Sequence, residues 1–439
     1  MTVKEYSKSF CVYPWIHQVA TPTGKVNFCC ISEKTYIHHD NGKPINLAED
    51  SFEEAWNTKD MRDIRKKMLC GESVKGCETC YEQEKIGKRS YRQSHNEEWF
   101  SRLGKSEIVD RVENSKRNDF RVDKPPVYLD LRLGNLCNLK CRMCNPYNSV
   151  MIQKEWQELD QQSDGEYSQF WEKYNMKLGT VSKWYESDNF WNDVEKYIPH
   201  LKKVYMTGGE PTLIESNYRF LDLCREKGYA NKIELFFNLN FTNMSDKFIE
   251  QLADFKWTSI NASIDGFGSV NEYIRGSSKW DICDRNINRL LSSHVSTVGL
   301  GFSPVIQIYN ILKITELLDY IESLILKYDH DILIDFLYCF SPEFLDMESL
   351  PKSIKLEAKK RVELWAENSR LLRRHSSKSF FIKNSIESLL NRLNQTLELE
   401  NSEKLKDFMK YTKTLDEKRN QNFSQALPEL ARMLNESGY

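Results

Sequence analysis

The sequence predicts an α/β fold, with parallel strands alternating with helices between a small cysteine-rich N-terminal part and a helical C-terminal part. Three observations lead there. Between residues 127 and 338, six short β-rich runs are separated by longer stretches of helical spacing. Nine of the twelve cysteines fall before residue 145, in tight groups. From residue 341 onward the composition turns to Leu, Lys, Glu, Arg and Asn, and glycine is absent until Gly438.

The bulk numbers set the frame. A chain of 439 residues exceeds one ordinary domain, and 40% hydrophobic with 12% aromatic residues is enough for a sizeable core. Lys+Arg 62 against Asp+Glu 64 leaves no electrostatic footprint for general nucleic-acid binding. The start MTVKEYSKSF lacks the basic-then-apolar layout of a signal peptide, and no apolar run approaches the ~20 residues of a bilayer span. The expectation is a cytoplasmic protein without a membrane partner. There, thiols stay reduced and grouped cysteines serve metals in preference to disulfides. Cys224, Cys283 and Cys339 stand alone among apolar neighbours and are expected to be ordinary buried thiols.

In chain order, residues 1–120 are turn-rich and end in the polar stretch GKSEIVDRVENSKRNDF, and Pro125-Pro126 marks a boundary. The expected strands are VYLDLRL (127–133), KKVYMT (202–207), KIELFFNLN (232–240), WTSINASID (257–265), STVGLGFSPV (296–305) and DILIDFLY (331–338). Helical patterns at 213–228 and 310–328 lie between them, which argues for βαβ units and a parallel sheet. The Trp-rich connection from 145 to 201 is longer than a crossover needs and reads as a helical insertion with its own core. The expected domains are 1–122, 123–340 and 341–439.

The chemistry concentrates after the first strand, in LDLRLGNLCNLKCRMCNPYNS. Cys137-x3-Cys141-x2-Cys144 places three soft thiolates on one loop, the ligands that iron–sulfur clusters and zinc prefer. Three local sulfurs leave one iron of a four-iron cluster open. The second strand leads into YMTGGEPTL, where Gly208 and Gly209 let the backbone approach a ligand and Glu210 is suited to accept from an ammonium. Alone, that segment reads equally well as a Gly-Gly turn before a helix. Later strand ends offer Asn243, Ser263, Asp265, Arg275, Val305 and Gln307, each of which has a plain reading as a turn or surface residue.

The cysteine spacing and the Gly208-Gly209-Glu210-Pro211 turn one strand later together resemble the radical S-adenosylmethionine (radical SAM) superfamily. The resemblance implies a partial (β/α)6 TIM-like barrel with a [4Fe-4S] cluster on Cys137, Cys141 and Cys144. It also implies S-adenosylmethionine (AdoMet) held by Gly208, Gly209, Glu210 and Pro211, with Asn243. Ser263 and Asp265 match ribose-binding positions, Arg275 a carboxylate partner, and Val305 and Gln307 the adenine edge. Met143 stands where many members carry an aromatic residue.

The N-terminal part resembles the auxiliary-cluster domain called twitch, a short form of SPASM. The matching features are Cys11 ahead of Pro14-Trp15, Gly24 before a strand ending in Cys29-Cys30, a helix containing Trp56 and Arg65, and Cys77-x2-Cys80. In most relatives this domain follows the core; here it precedes it. The resemblance implies a second, auxiliary [4Fe-4S] cluster on Cys11, Cys29 or Cys30, Cys77 and Cys80, with Cys29 favoured and Cys70 a spare, buried thiol. A structural zinc knuckle is the alternative for these four sulfurs.

The implied activity is reductive cleavage of AdoMet to a 5′-deoxyadenosyl radical that abstracts a substrate hydrogen, in an oxidative modification of a peptide of the ribosomal-peptide maturation kind. The implied electron donor is a flavodoxin or ferredoxin. Action on a sugar, nucleoside or small metabolite is a second reading. A non-catalytic iron–sulfur or zinc protein that carries electrons is a third, from a different class. Residues 341–439 carry no motif with an assignable chemistry.

Overall fold

The computed structural model describes residues 6–439 apart from 33–34, 86, 175, 177–180, 294 and 374–376. Residues 1–5, part of the start read for a signal-peptide layout, lie outside the described residues. By internal contacts the chain divides into two units, each discontinuous in sequence. One is Met1–Leu136 with Thr180–Phe237 and Asp254–Trp257; the other is Cys137–Gly179 with Asn238–Ala253 and Thr258–Tyr439. The fold is mixed α/β, as the alternation of β-rich and helical runs predicts.

In the first unit, Tyr128–Leu131 is buried along its whole length, as a central parallel strand is. It pairs in parallel with Lys203–Met206, which pairs in parallel with the strand beginning at Glu234. Those two strands alternate buried and half-buried positions, so one face meets the core. On its other side, Tyr128–Leu131 pairs in parallel with His17–Ala20, which pairs antiparallel with Val26–Asn27. The cysteine-rich segment thus contributes a strand to the same sheet, which four residues of unremarkable pattern (HQVA) did not announce.

Two local expectations fail here. Trp56 and Arg65 lie on separate helices, Phe52–Trp56 and Lys59–Cys70. Asn57 leaves the helical conformation because its side chain bonds the Val122 backbone, with Oδ1 accepting from Val122 N at 2.9 Å and Nδ2 donating to Val122 O at 3.1 Å. Thr58 then caps the second helix. The polar stretch before residue 122 is largely helical as well, following Tyr91–Leu103 with Lys105–Arg117. Ile108, Arg111, Val112 and Ser115 form its buried stripe, a period of three and four that was present in the sequence under the charges.

In the second unit, the strand Trp257–Ala262 pairs in parallel with Val298–Phe302 from Thr258 onward, and Leu333–Ile334 pairs in parallel with Val298–Phe302. The expected strand 331–338 is two short pieces, since Leu337–Tyr338 pairs instead with Val305–Ile306. Helices Val150–Gln162 and Glu166–Glu172 form part of the expected insertion, and Trp156 stacks on Trp171 with ring centroids 3.6 Å apart. Those aromatics are core. The described residues after 341 are mostly helical, as expected, and their longest helices are Lys352–Asn368, Ser377–Gln395 and Ser402–Arg419. Among the described residues, no helix is long and apolar enough to cross a membrane.

Asp130, in the central strand of the first unit, is fully buried. Burial pushes its carboxyl up to about 6, although Arg132 at 3.1 Å pulls the other way. A carboxyl whose folded value is raised contributes stability below its unfolded value near pH 4, and that contribution is lost as the pH rises through about 6. Asp130→Asn is expected to flatten the stability profile between about pH 4 and pH 6 by roughly 2–3 kcal/mol. Thermal melts of both proteins across that window check it, and parallel profiles would refute it.

Candidate functional site

In the first unit, Cys11, Cys29, Cys77 and Cys80 line a single pocket together with Tyr13, Phe28, Ile31, Met68, Gly76, Arg92 and His95. Each is placed by local chemistry. Cys11 sits in a backbone clamped from the helix Tyr91–Leu103: Arg92 Nη1 donates to Phe10 O at 2.6 Å, Asn96 Nδ2 donates to Phe10 O at 3.0 Å, and Asn96 Oδ1 accepts from Val12 N at 2.8 Å. Arg92 is itself held by the Glu84 carboxylate at 2.5 and 3.0 Å. Cys77 and Cys80 open the helix Glu78–Lys85 after a turn through Gly76, whose φ of +92° and whose approach to Ser32 and Thr35 leave no room for a side chain.

Cys29, and not Cys30, is among the pocket-lining residues. Cys30 engages His95 and Cys29, and its carbonyl accepts from Arg132 Nη2 at 3.2 Å. The bond from Cys29, and then His95, draw the Cys30 thiol well below its ordinary range, while the same bond to Cys30 pushes Cys29 up. Cys70 is exposed, so the expectation of a buried spare thiol is corrected: it ends its helix at Gly71 and turns to solvent. Cys224, Cys283 and Cys339 are buried as expected. His95, Arg92 and Tyr13 were not singled out from the sequence; Tyr13, inside CVYPW, carried the only signal.

The first unit also contains the Gly-Gly turn. Gly208 and Gly209 have φ of +86° and +57°. A Cβ on Gly209 would lie 2.3 Å from Leu136 O, so the backbone passes against the residue before Cys137 at a distance only glycine permits. Glu210 N donates to that same Leu136 O at 2.8 Å. The Glu210 side chain is 2% exposed, and its Oε1 accepts from Thr212 Oγ1 at 2.7 Å. Pro211 starts the single 3-10 turn that Glu210 caps.

The second unit holds Cys137, Cys141 and Cys144. Lys140–Cys141 pairs antiparallel with Arg275–Gly276, with Cys141 opposite Arg275, and Arg142 N donates to Ile274 O at 2.8 Å. That ladder brings Arg275 Nη1 to 3.7 Å from Cys141 Sγ. Asn138, between the first two cysteines, donates to Thr242 Oγ1 at 2.9 Å and accepts from Asn240 Nδ2 at 3.1 Å. The motif loop is thereby tied to the strand end that carries Asn243. Met143 is half-buried.

Asp265 is fully buried; its Oδ2 forms an ion pair with Arg275 Nε at 2.7 Å, and its Oδ1 accepts from Val305 N at 2.8 Å. Asn310, unnoticed in the sequence, donates to Asp265 O and Val305 O, both at 2.8 Å, and accepts from Gln307 N at 2.9 Å. Asp265, Arg275, Val305 and Gln307 therefore do come together, through Asn310. Ser263 is half-buried, and its N donates to Leu239 O at 2.8 Å.

The donor chemistry fits iron–sulfur clusters in both places. Burial pushes Cys77 up to about 12 and raises Cys11, Cys80, Cys141 and Cys144 above the ordinary thiol range, so each keeps its proton until a cation takes its place. Among the described residues, no group of three or more His, Cys, Asp or Glu is gathered to hold a metal ion.

Comparison with known proteins decides the class. A model of the radical SAM superfamily matches residues 131–321. This stretch is a radical SAM domain. A second model, the iron-sulfur cluster-binding domain SPASM, matches residues 11–81. A radical SAM domain implies a [4Fe-4S] cluster and AdoMet, and a SPASM domain an auxiliary iron–sulfur cluster. The tungsten-containing aldehyde ferredoxin oxidoreductase cofactor-modifying protein of Pyrococcus furiosus is 30% identical over 131 residues, 29% of this chain and 27% of that one. The chain thus spans about a quarter of this curated relative. Among solved structures, anSMEcpe with bound AdoMet is 16% identical with a TM-score of 0.37, covering 55% of this chain and 60% of its own. SuiB of Streptococcus suis bound to precursor peptide SuiA is 14% identical with a TM-score of 0.35, covering 74% and 66%.

Proposed function

We propose that this radical SAM enzyme oxidatively modifies a peptide, using Cys137, Cys141 and Cys144 for the AdoMet-binding cluster and Cys11, Cys29, Cys77 and Cys80 for an auxiliary one. The observation that carries the two-cluster reading is the set of four thiols around one pocket in the first unit, distinct from the three-cysteine loop of the second. When bound, the cluster and AdoMet supply reductive cleavage to a 5′-deoxyadenosyl radical, which takes a hydrogen atom from the substrate. The chain's own residues hold and orient. The ladder to Arg275–Gly276 presents Cys141, and Asp265 with Asn310 fixes the Arg275 guanidinium against its sulfur. Gly208 and Gly209 let the turn pass against Arg132 and Leu136, and Glu210, at the end of that turn, is the proposed acceptor for a ligand ammonium. Asn243, Ser263, Val305, Gln307 and Met143 complete the proposed AdoMet contacts.

An auxiliary cluster suits oxidation, because a second redox centre can take the electron left on the substrate after hydrogen abstraction. That supports oxidative chemistry on a peptide. The name of the Pyrococcus furiosus relative, a cofactor-modifying protein, favours a second reading in which the substrate is a small molecule.

Anaerobic reconstitution with iron and sulfide, followed by dithionite and AdoMet, tests the proposal. The expected result is 5′-deoxyadenosine together with about eight irons per chain. Absence of the nucleoside from iron-loaded protein sinks the enzyme reading; one zinc per chain with full activity sinks the auxiliary cluster. Deuterium passing into 5′-deoxyadenosine from a labelled peptide supports the first substrate class. Transfer only from labelled small molecules establishes the second.

A further inference from the structure

The C-terminal helix Ser402–Arg419 has no motif, yet its side chains grip the loop that carries Cys141 and Cys144. Arg142, between those cysteines, is fully buried. Its Nη2 donates to Asp416 Oδ1 at 2.5 Å and to Gln421 Oε1 at 2.9 Å, and its Nε donates to Tyr273 O at 3.0 Å. The guanidinium lies 3.8 Å from the Tyr273 ring centroid. Tyr273 Oη donates to the same Asp416 oxygen at 2.9 Å, and Tyr411 Oη donates to Arg142 O at 2.6 Å. One turn further on, Arg419 forks onto Glu155 at 2.6 and 3.0 Å. Glu155 also meets Lys140, the residue before Cys141, at 3.3 Å.

A cation buried between two cysteines needs an anion of matching geometry, because an unpaired charge there is strongly destabilising. Asp416 supplies it from 274 residues away. The motif loop is thus held on one side by the ladder to Arg275–Gly276 and on another by this helix. Outer partners of this kind orient metal ligands, and their loss costs about 10–100-fold in metal affinity.

We propose that the helix Ser402–Arg419 is a positioning element of the AdoMet cluster site, with Arg142–Asp416 as its latch. The inference rests on the proposed assignment of Cys137, Cys141 and Cys144 to that cluster. Asp416 touches neither iron nor substrate; it acts through Arg142 on the spread of the sulfurs.

The auxiliary cluster in the same chain is an internal control. The test uses the full-length protein with both clusters reconstituted. Reduced protein is examined by electron paramagnetic resonance with and without AdoMet, to identify the AdoMet-responsive signal. Iron loss to a chelator is then followed for each signal in wild type, Asp416→Asn and Asp416→Glu. The expected result is a 10–100-fold faster decay of the AdoMet-responsive signal in Asp416→Asn. The other signal should keep its rate, and Asp416→Glu should recover much of the loss. Equal acceleration of both signals would mean global loosening and would overturn the latch; so would unchanged decay of the responsive signal. If wild type has no AdoMet-responsive signal, the assignment of Cys137, Cys141 and Cys144 falls first, a failure visible before any variant is made.

Discussion

Cys141→Ala is expected to lower 5′-deoxyadenosine formation by more than about 100-fold and to reduce bound iron from about eight to about four per chain. Loss of an outer partner alone costs about 10–100-fold in metal affinity, and removing a ligand sulfur is more severe. Cys141 is the informative choice among the three. Its backbone is paired with Arg275, so its sulfur is set before iron arrives, and it is 8% exposed, so water is poorly placed to substitute. Alanine removes the sulfur and keeps the ladder. The protein should therefore remain folded, as judged by an unchanged circular dichroism spectrum. Cys70→Ala is the matched control, since Cys70 is exposed and outside both thiol groups. Full iron content and nucleoside yield in Cys141→Ala would remove Cys141 from the ligand set.

The second large effect concerns stability. Arg65→Ala is expected to destabilise the first unit by at least about 3 kcal/mol. Arg65 is fully buried. Its Nε donates to Pro14 O at 2.8 Å, Nη1 to Asn57 Oδ1 at 2.9 Å and Phe120 O at 3.0 Å, and Nη2 to Trp56 O at 2.7 Å. The guanidinium also lies 4.8 Å from the Trp56 ring centroid. One side chain thus stitches the turn after Cys11, the break between two helices and the segment leading to the central strand. Truncation leaves three carbonyls and one amide oxygen without this donor, at about 1–3 kcal/mol each before relaxation and water entry offset part of it. Lysine cannot reproduce the planar fork, so Arg65→Lys should recover little. Thermal melts check both variants, with a fall of about 3 °C or more expected for a chain of this size. A fall under about 1 °C would show that the carbonyls find other donors.

Much of the site was legible because its signals are short. Three thiols within eight residues, two glycines before Glu210 and a Cys-x2-Cys pair each act over a single turn of chain, where spacing alone decides what converges. The same holds for the strands, since a buried parallel strand is a run of apolar residues wherever it sits. The helix Lys105–Arg117 was missed for the opposite reason: its buried stripe holds only two apolar residues, Ile108 and Val112, in a helix with eight charged or amide side chains.

By itself, the sequence determined the donor atoms and the order of the elements that carry them: which thiols exist, which strand each motif follows, and where glycine is required. Tertiary structure decided the rest. It placed Cys29 among the pocket-lining residues and turned Cys30 towards His95. It joined Asp265 to Arg275, making a buried pair of two residues that the sequence offered as separate ligand contacts. It drew Asp416 onto Arg142, giving a charged partner to a residue inside the cysteine motif. The physical reason is range. Secondary structure and turn chemistry depend on neighbours a few positions apart, whereas a buried charge finds its partner through packing, and nothing near Arg142 in the chain says that its carboxylate lies 274 residues on.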